Sequence, residues 1–338
     1  MNYFFPYSYL VTCARGMLTG AEILVIPIVK GIGAIAGWTM RQWWSSRNYK
    51  EKRRYWNKVK NNFKALVYGI TLTACVCTAV ILYHVEWEPI TGQLILCLYN
   101  HRTIAGISKM KWQNKMIVTG RNLKYSDERM ENRARLIMKK VLEANAQFTA
   151  IWDNDWYLII EENNELNARS MPFGLIVINS SMMNMLNDDQ LAIIIGHEIS
   201  HTLLRHINRE LSMNILVNVF QIVGIVVAWM LLPEVIAYTF SIWFEIKIKS
   251  LCFEMPLLRR LEKEADRVGF MMAARACVDI TQGPKMWISF AETDERSSIK
   301  RSYWWMCTHP SYRSRANHLN QLTAETQKLQ KLVNCHDL

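Results

Sequence analysis

Acidic residues are nearly missing from one stretch of this 338-residue chain: between Arg41 and Lys64 a single acid, Glu51, faces nine lysines and arginines. That stretch carries +8 of the net +11, whereas from Ala65 to the end 29 basic residues face 27 acidic ones. The positive excess is therefore a local block. With no RNA- or DNA-binding motif beside it, it speaks against a nucleic-acid partner and for a membrane-flanking segment. Charge of either sign is missing from Ala65 to Tyr83, a run of 19 residues. That is about the length a helix needs to cross the hydrocarbon core, and a helix buried in a soluble core rarely lacks a polar face for so long. CxxC spacing is missing as well. The eight cysteines (Cys13, Cys75, Cys77, Cys97, Cys252, Cys277, Cys307 and Cys335) form no zinc-ribbon pair, so most read as small buried hydrophobes and the redox compartment stays open. Internal repeats and low-complexity linkers are also missing, and a hydrophobic fraction of 51% excludes a disordered chain.

What is present divides the chain in three: a basic, membrane-associated segment over 1–64, a transmembrane helix over 65–83, and one domain over 84–338. The basic block precedes the apolar run, and positive charge tends to stay on the cytoplasm-like side. The domain is therefore expected across the membrane. Within the N-terminal segment, Ile23 to Met40 is apolar but interrupted by Pro27, Lys30 and glycines, which suits an interfacial position better than a full span. The first 21 residues hold Arg15 and no acid, which leaves a presequence remnant undecided.

The domain reads as α+β and mostly helical. Helical periodicity covers Glu128 to Phe148, and Trp156–Ile160 and Leu175–Ile178 read as short strands. Asn187 followed by Gln190 is a capping-box pattern that starts a helix at Asp188, expected to run to about Leu211. Asn214–Leu232 and Val235–Phe244, with Pro233 between, form an apolar helical hairpin within 214–246, whose entry into lipid is left open. Further helices are expected over Leu257–Cys277 and Tyr312–Val333.

The chemistry sits at His197-Glu198-Ile199-Ser200-His201, an HExxH pattern. Residues four apart stack on a helix, so both imidazoles reach one metal ion, and Glu198 on the adjacent face can take a proton from water there. A random chain of this composition contains the pattern roughly once in a hundred, so a third ligand has to support it. Glu262-Lys263-Glu264-Ala265-Asp266 offers it. Glu262 and Asp266 share a helix face, while Glu264 points about 200° away from Glu262. With Glu262 as ligand, Asp266 is placed to accept from the free ring nitrogen of a ligand histidine. Glu264 gains no comparable partner. Gly196 allows another backbone to approach closely, and His206 reads as a surface or packing histidine.

HEISH followed by the Glu262–Asp266 segment resembles the membrane zinc endopeptidases that include HtpX and the CAAX-prenyl proteases. Within them the chain resembles the Oma-type mitochondrial inner-membrane metalloendopeptidases. Ile194–His201, the run Arg259–Asp279, and Thr308-His309-Pro310-Ser311 with Arg315 carry the likeness. Trp43 and Trp44, the anchor helix and Pro89–Gly92 extend it over nearly the whole chain. The resemblance implies a gluzincin-type fold, one zinc ion per chain held by His197, His201 and Glu262, and a catalytic domain facing the intermembrane space. It implies protein substrates in or at the bilayer during stress, a dynamin-like fusion GTPase among them; self-association is left open. It also implies that His309 stabilises the tetrahedral intermediate and that Arg315 orients this loop. The short N-terminal segment and the tail after Val333 depart from the family, so import route and sensing by the ends fall outside the likeness.

The expected mechanism has Glu198 as general base, with the substrate extended against an edge strand near Leu175–Ile178. The competing class is a catalytically silent membrane scaffold or peptide-binding paralogue with a zinc site. A structural zinc, however, is normally closed by four protein ligands and has no use for Glu198.

Overall fold

The structure is a computed structural model and describes residues 20–118, 128–296 and 311–335. The chain separates into two compact units. Of the described residues, unit 1 draws on Tyr99–Glu210 and Met255–Leu338, and unit 2 on Leu18–Leu98 and Leu211–Glu254.

Unit 2 starts with α1 (Gly20–Ser45), the basic helix α2 (Tyr49–Asn61) and the apolar helix α3 (Phe63–Tyr83). Asn48 caps α2 through a box with Glu51, so its dense positive charge is carried on a locally well-started helix. No residue of α3 is buried. A hairpin of β1 (Val85–Glu88) and β2 (Gln93–Leu96) follows, turned at Gly92 in the left-handed region. Glu88 is buried beneath this turn and accepts from the backbone N–H groups of Ile90 and Thr91. The segment 23–40, expected at an interface, is part of α1. That helix packs so closely on a later one of unit 2 that a side chain at Gly37 would run into the Val226 carbonyl.

Unit 1 contains α4 (His101–Val118), α5 (Glu128–Glu143), the single turn α6 (Thr149–Trp152), and the strands β3 (Tyr157–Glu161), β4 (Ala168–Ser170) and β5 (Leu175–Asn179). The strands form one sheet in the order β3-β5-β4, parallel between β3 and β5 and antiparallel between β5 and β4. Every residue of β5 is buried. The expected edge strand at 175–178 is therefore the centre of the sheet, and β4 is an edge. A strand with all five residues buried, Leu-Ile-Val-Ile-Asn, needs cover on both faces of the sheet, and β3 and β4 take up its two hydrogen-bonding edges.

After the short α7 (Ser180–Met185) comes α8 (Asp188–Leu203), capped as expected by Asn187 and Gln190. It does not continue to Leu211. Arg205 adopts φ 52°, a left-handed conformation that ends the helix, and α9 (His206–Leu231) starts anew. The division between the units falls within α9. The hairpin expected at 214–246 is the rest of α9, a turn at Pro233, α10 (Glu234–Trp243) and a π-helical stretch over Phe244–Glu254. Among the described residues two helices are long and apolar enough to cross a membrane, Phe63–Tyr83 and His206–Leu231.

The remainder of unit 1 is α11 (Met255–Arg275), α12 (Gln282–Arg296) and α13 (Tyr312–Leu332). In α11, Leu261, Glu262, Ala265, Asp266, Val268 and Gly269 are buried, a stripe of period 3.6 that packs on α8. Cys277 and Cys335 form a disulfide across 58 residues of sequence, and Cys75 and Cys77 are exposed on α3. Of the free cysteines among the described residues, Cys97 is the buried one.

Candidate active site

The site is set by how closely two helices cross. A Cβ at Gly196 of α8 would lie 2.7 Å from the Gly269 carbonyl, and one at Gly269 of α11 would lie 2.5 Å from the His197 nitrogen. Only glycine at both positions lets the backbones touch. That contact carries Glu262, two helical turns before Gly269, to the two histidines of α8.

There, His197 Nε2 and His201 Nε2 lie 3.1 Å apart, and the Glu262 carboxylate oxygens lie 3.6 Å from the first and 3.5 Å from the second. Donors bound tetrahedrally at about 2.0–2.1 Å sit about 3.3 Å from one another, so the spacing fits one small divalent cation. It is the one such donor cluster found among the described residues. Charge agrees with geometry. Around the two imidazoles stand three carboxylates, Glu198, Glu262 and Asp266, and one guanidinium, Arg315, a surplus of two negative charges when all are ionised.

Asp266 faces His197 as the sequence spacing suggested, its Oδ1 3.1 Å from Nδ1. Arg315, from α13, donates through Nε to Asp266 Oδ2 at 2.9 Å and through a second nitrogen to Oδ1. Its plane also lies on the Trp287 ring, with the guanidinium carbon 3.7 Å from the centroid. Arg315 is buried, and so are His197, Glu198, Glu262 and Asp266. Burial by itself would raise the Asp266 carboxyl, but the Arg315 charge and the His197 hydrogen bond outweigh it and hold it below its ordinary value. Glu198 goes the other way. Desolvation pushes its carboxyl up, the His197 contact lowers it and Glu262 raises it, and the balance is upward. His309 lies outside the described residues.

Three further residues stand around this cluster. Ser170, on the edge strand β4, lies close enough to Glu198 to lower its carboxyl. His206 is buried, with its Nδ1 2.9 Å from His201 Nδ1, so of the two roles expected of it, surface or packing, the second holds. Glu264 does have partners: Arg209 donates to it at 2.8 Å, and His206 Nε2 lies 3.7 Å away. Burial alone would raise the Glu264 carboxyl, yet His206 and Arg209 bring it down to about 2. No motif announces these contacts. Position 206 is five residues past His201, about 140° round a continuous helix. The left-handed Arg205 turns it back.

Comparison with known proteins extends this picture beyond the site. The chain is 25% identical over 337 residues to "Metalloendopeptidase OMA1, mitochondrial" of Bos taurus, covering 97% of this chain and 63% of that protein. It is 24% identical over 317 residues to the Homo sapiens protein of the same name, covering 94% and 60%. The Danio rerio protein of that name is 27% identical over 316 residues, with 92% and 66% covered. This chain thus spans about three fifths to two thirds of the length of these relatives. The profile described as Peptidase family M48 matches residues 131–323, more than half of the chain and the whole of the His197–Glu262 site, and the protein belongs to that family.

Proposed function

We propose that this chain is a membrane-anchored zinc endopeptidase that hydrolyses peptide bonds of membrane proteins. The observation that carries this reading is the convergence of His197 Nε2, His201 Nε2 and the Glu262 carboxylate beside the buried Glu198. These three side chains would hold the zinc, which when bound supplies Lewis acidity toward the scissile carbonyl and toward a water molecule. Glu198 takes the proton from the attacking water and returns it to the leaving amine. Its desolvated setting keeps the carboxylate basic enough for the first transfer. Asp266, held by Arg315, fixes the ring of His197 so that Nε2 is presented to the metal. His309, by resemblance, would carry the developing oxyanion.

The substrate strand adds to β4 at Ala168–Ser170, pairing main chain to main chain, because β4 is an edge and Ser170 reaches Glu198. The anchor is α3: it is apolar, has no buried residue and is preceded by the basic helix α2. The relatives' names place those proteins in mitochondria. For this chain we read the inner membrane, with the site facing the intermembrane space and a dynamin-like fusion GTPase among its substrates. Purified protein carrying Glu198→Gln should keep bound zinc and lose cleavage of a membrane-protein substrate by about 10²–10⁴-fold. Cleavage retained at the wild-type rate would sink the assignment, and zinc lost together with activity would move Glu198 into the ligand set.

A further inference from the structure

Each ligand histidine has a second ring nitrogen, and the structure treats the two differently. The Nδ1 of His197 lies 3.1 Å from Asp266 Oδ1 and 3.1 Å from a terminal nitrogen of Arg315, the guanidinium that fixes this carboxylate. His201 turns its Nδ1 to another imidazole, that of His206, at 2.9 Å. Two neutral imidazoles joined in this way allow one donor and one acceptor. If His201 presents Nε2 to a metal, its proton lies on Nδ1 and is donated to His206 Nδ1. His206 then carries its own proton on Nε2, the nitrogen that faces the Glu264 carboxylate at 3.7 Å. Glu264 is held in turn by Arg209 at 2.8 Å, and His206, Glu264 and Arg209 are all largely shielded from solvent.

We infer that His206 is a positioning residue for the metal site, fixing the tautomer and the ring plane of His201 through a chain that runs from His201 to His206 to the Glu264–Arg209 pair. The inference rests on the proposal that His201 binds the metal. An imidazole is an unusual choice for this duty, since a carboxylate or a backbone carbonyl would accept the same proton. The local chain path accounts for it. A carboxylate in contact with His201 would add a fourth negative charge to a site that already holds three against one guanidinium. A neutral ring accepts the proton and leaves the carboxylate one step further out, paired with Arg209. The placement depends on the break at Leu204–Arg205: Arg205 at φ 52° re-aims residue 206, which a continuous helix would point away from His201.

The experiment is a chelator-competition measurement of the zinc dissociation constant on the full chain, with the melting temperature of the zinc-free protein as a control. Variants are His206→Leu, His206→Asn, Glu264→Gln and His201→Ala. His206→Leu keeps bulk but cannot accept a proton, so zinc binding should weaken ten- to a hundredfold, about the usual cost of a lost outer partner. His206→Asn places an acceptor oxygen near the former Nδ1 and should recover most of that loss. Glu264→Gln should weaken binding by less than His206→Leu. Wild-type zinc affinity in His206→Leu overturns the inference. So does an equal loss in the Leu and Asn variants that tracks a fall in the zinc-free melting temperature, because that pattern describes packing alone. His201→Ala separates the two levels: if it keeps wild-type zinc affinity, the metal-site proposal has failed, whereas zinc lost there and unchanged in the His206 variants removes only the outer chain.

Discussion

Unit 2 holds Lys30, Lys249, Glu245 and Glu254 in one connected group, two cations against two anions, with Gln221 and Asn218 filling remaining hydrogen bonds. Unit 1 holds its ionisable residues around His197 and His201 with the signs out of balance. Each anion of the first group meets a cation on a side chain of the same unit, so the group ties helices together and has no charge to offer a ligand. In the second group three carboxylates share one guanidinium, and the excess is aimed at one point between two imidazoles. Buried charge is costly unless compensated. A closed balance therefore marks a structural group, and an open one marks a place where compensation comes from outside the chain. The same sequence contains both, and residue types alone do not tell them apart.

The largest effect that could break this comparison comes from Glu262→Gln. Removing one ligand and one negative charge should abolish stoichiometric zinc and all cleavage while the apo fold persists; metal analysis beside circular dichroism checks it. Zinc retained at one per chain would mean that the surplus charge serves another purpose. Next comes Gly269→Ala, whose methyl group would meet the His197 backbone. Separating α8 and α11 should destabilise the protein by about 1–3 kcal/mol in denaturant unfolding and weaken zinc binding with it. A variant that loses stability and keeps its zinc affinity would show that the ligands do not depend on the crossing. Lys249→Met tests the other side. It leaves Glu245 paired with Lys30, so zinc affinity and peptide cleavage should stay within about twofold of wild type, as for independent sites. A larger change would mean that the unit 2 network is more than structural.

The smallest effect concerns Glu264. Its folded carboxyl lies near 2 against an ordinary 4.5, so its pairing stabilises the fold fully above about pH 4.5 and loses that contribution as pH falls toward 2. The melting-temperature gap between zinc-free wild type and Glu264→Gln should be flat above about pH 5 and close below it. A gap that widens on acidification would reverse the sign of the Arg209–Glu264 interaction.

Much of the site was legible because helices convert spacing into direction. His197 and His201 four apart, and Glu262 and Asp266 four apart, each define a face without any knowledge of the partner helix. The capping box at Asn187 and Gln190 was legible for the same reason, being local. The sheet was legible in its strands but not in its order. Leu175–Ile178 is a strand, yet nothing in those residues says that β3 and β4 flank it, and so the edge was assigned to the wrong segment. The contact of His206 with His201 and the Arg209–Glu264 pair were not legible, because the first depends on the left-handed turn at Arg205 and the second on a partner outside the motif. The Cys277–Cys335 bond escaped for a related reason, since 58 residues of separation leave no spacing pattern to read.

By itself the sequence determined the things that one helix or one run of residues can encode: the shared face of His197 and His201 on α8, that of Glu262 and Asp266 on α11, the apolar length of α3 and the basic block before it. The tertiary structure decided what depends on pairs of elements: that Gly196 touches Gly269, that β4 and not β5 lies at an edge, and that Arg315, His206 and Glu264 gather behind the rings of His197 and His201. The physical reason is that local geometry follows from covalent periodicity and nearby hydrogen bonds. Which surfaces meet follows instead from burial summed over the whole fold, which no short stretch records.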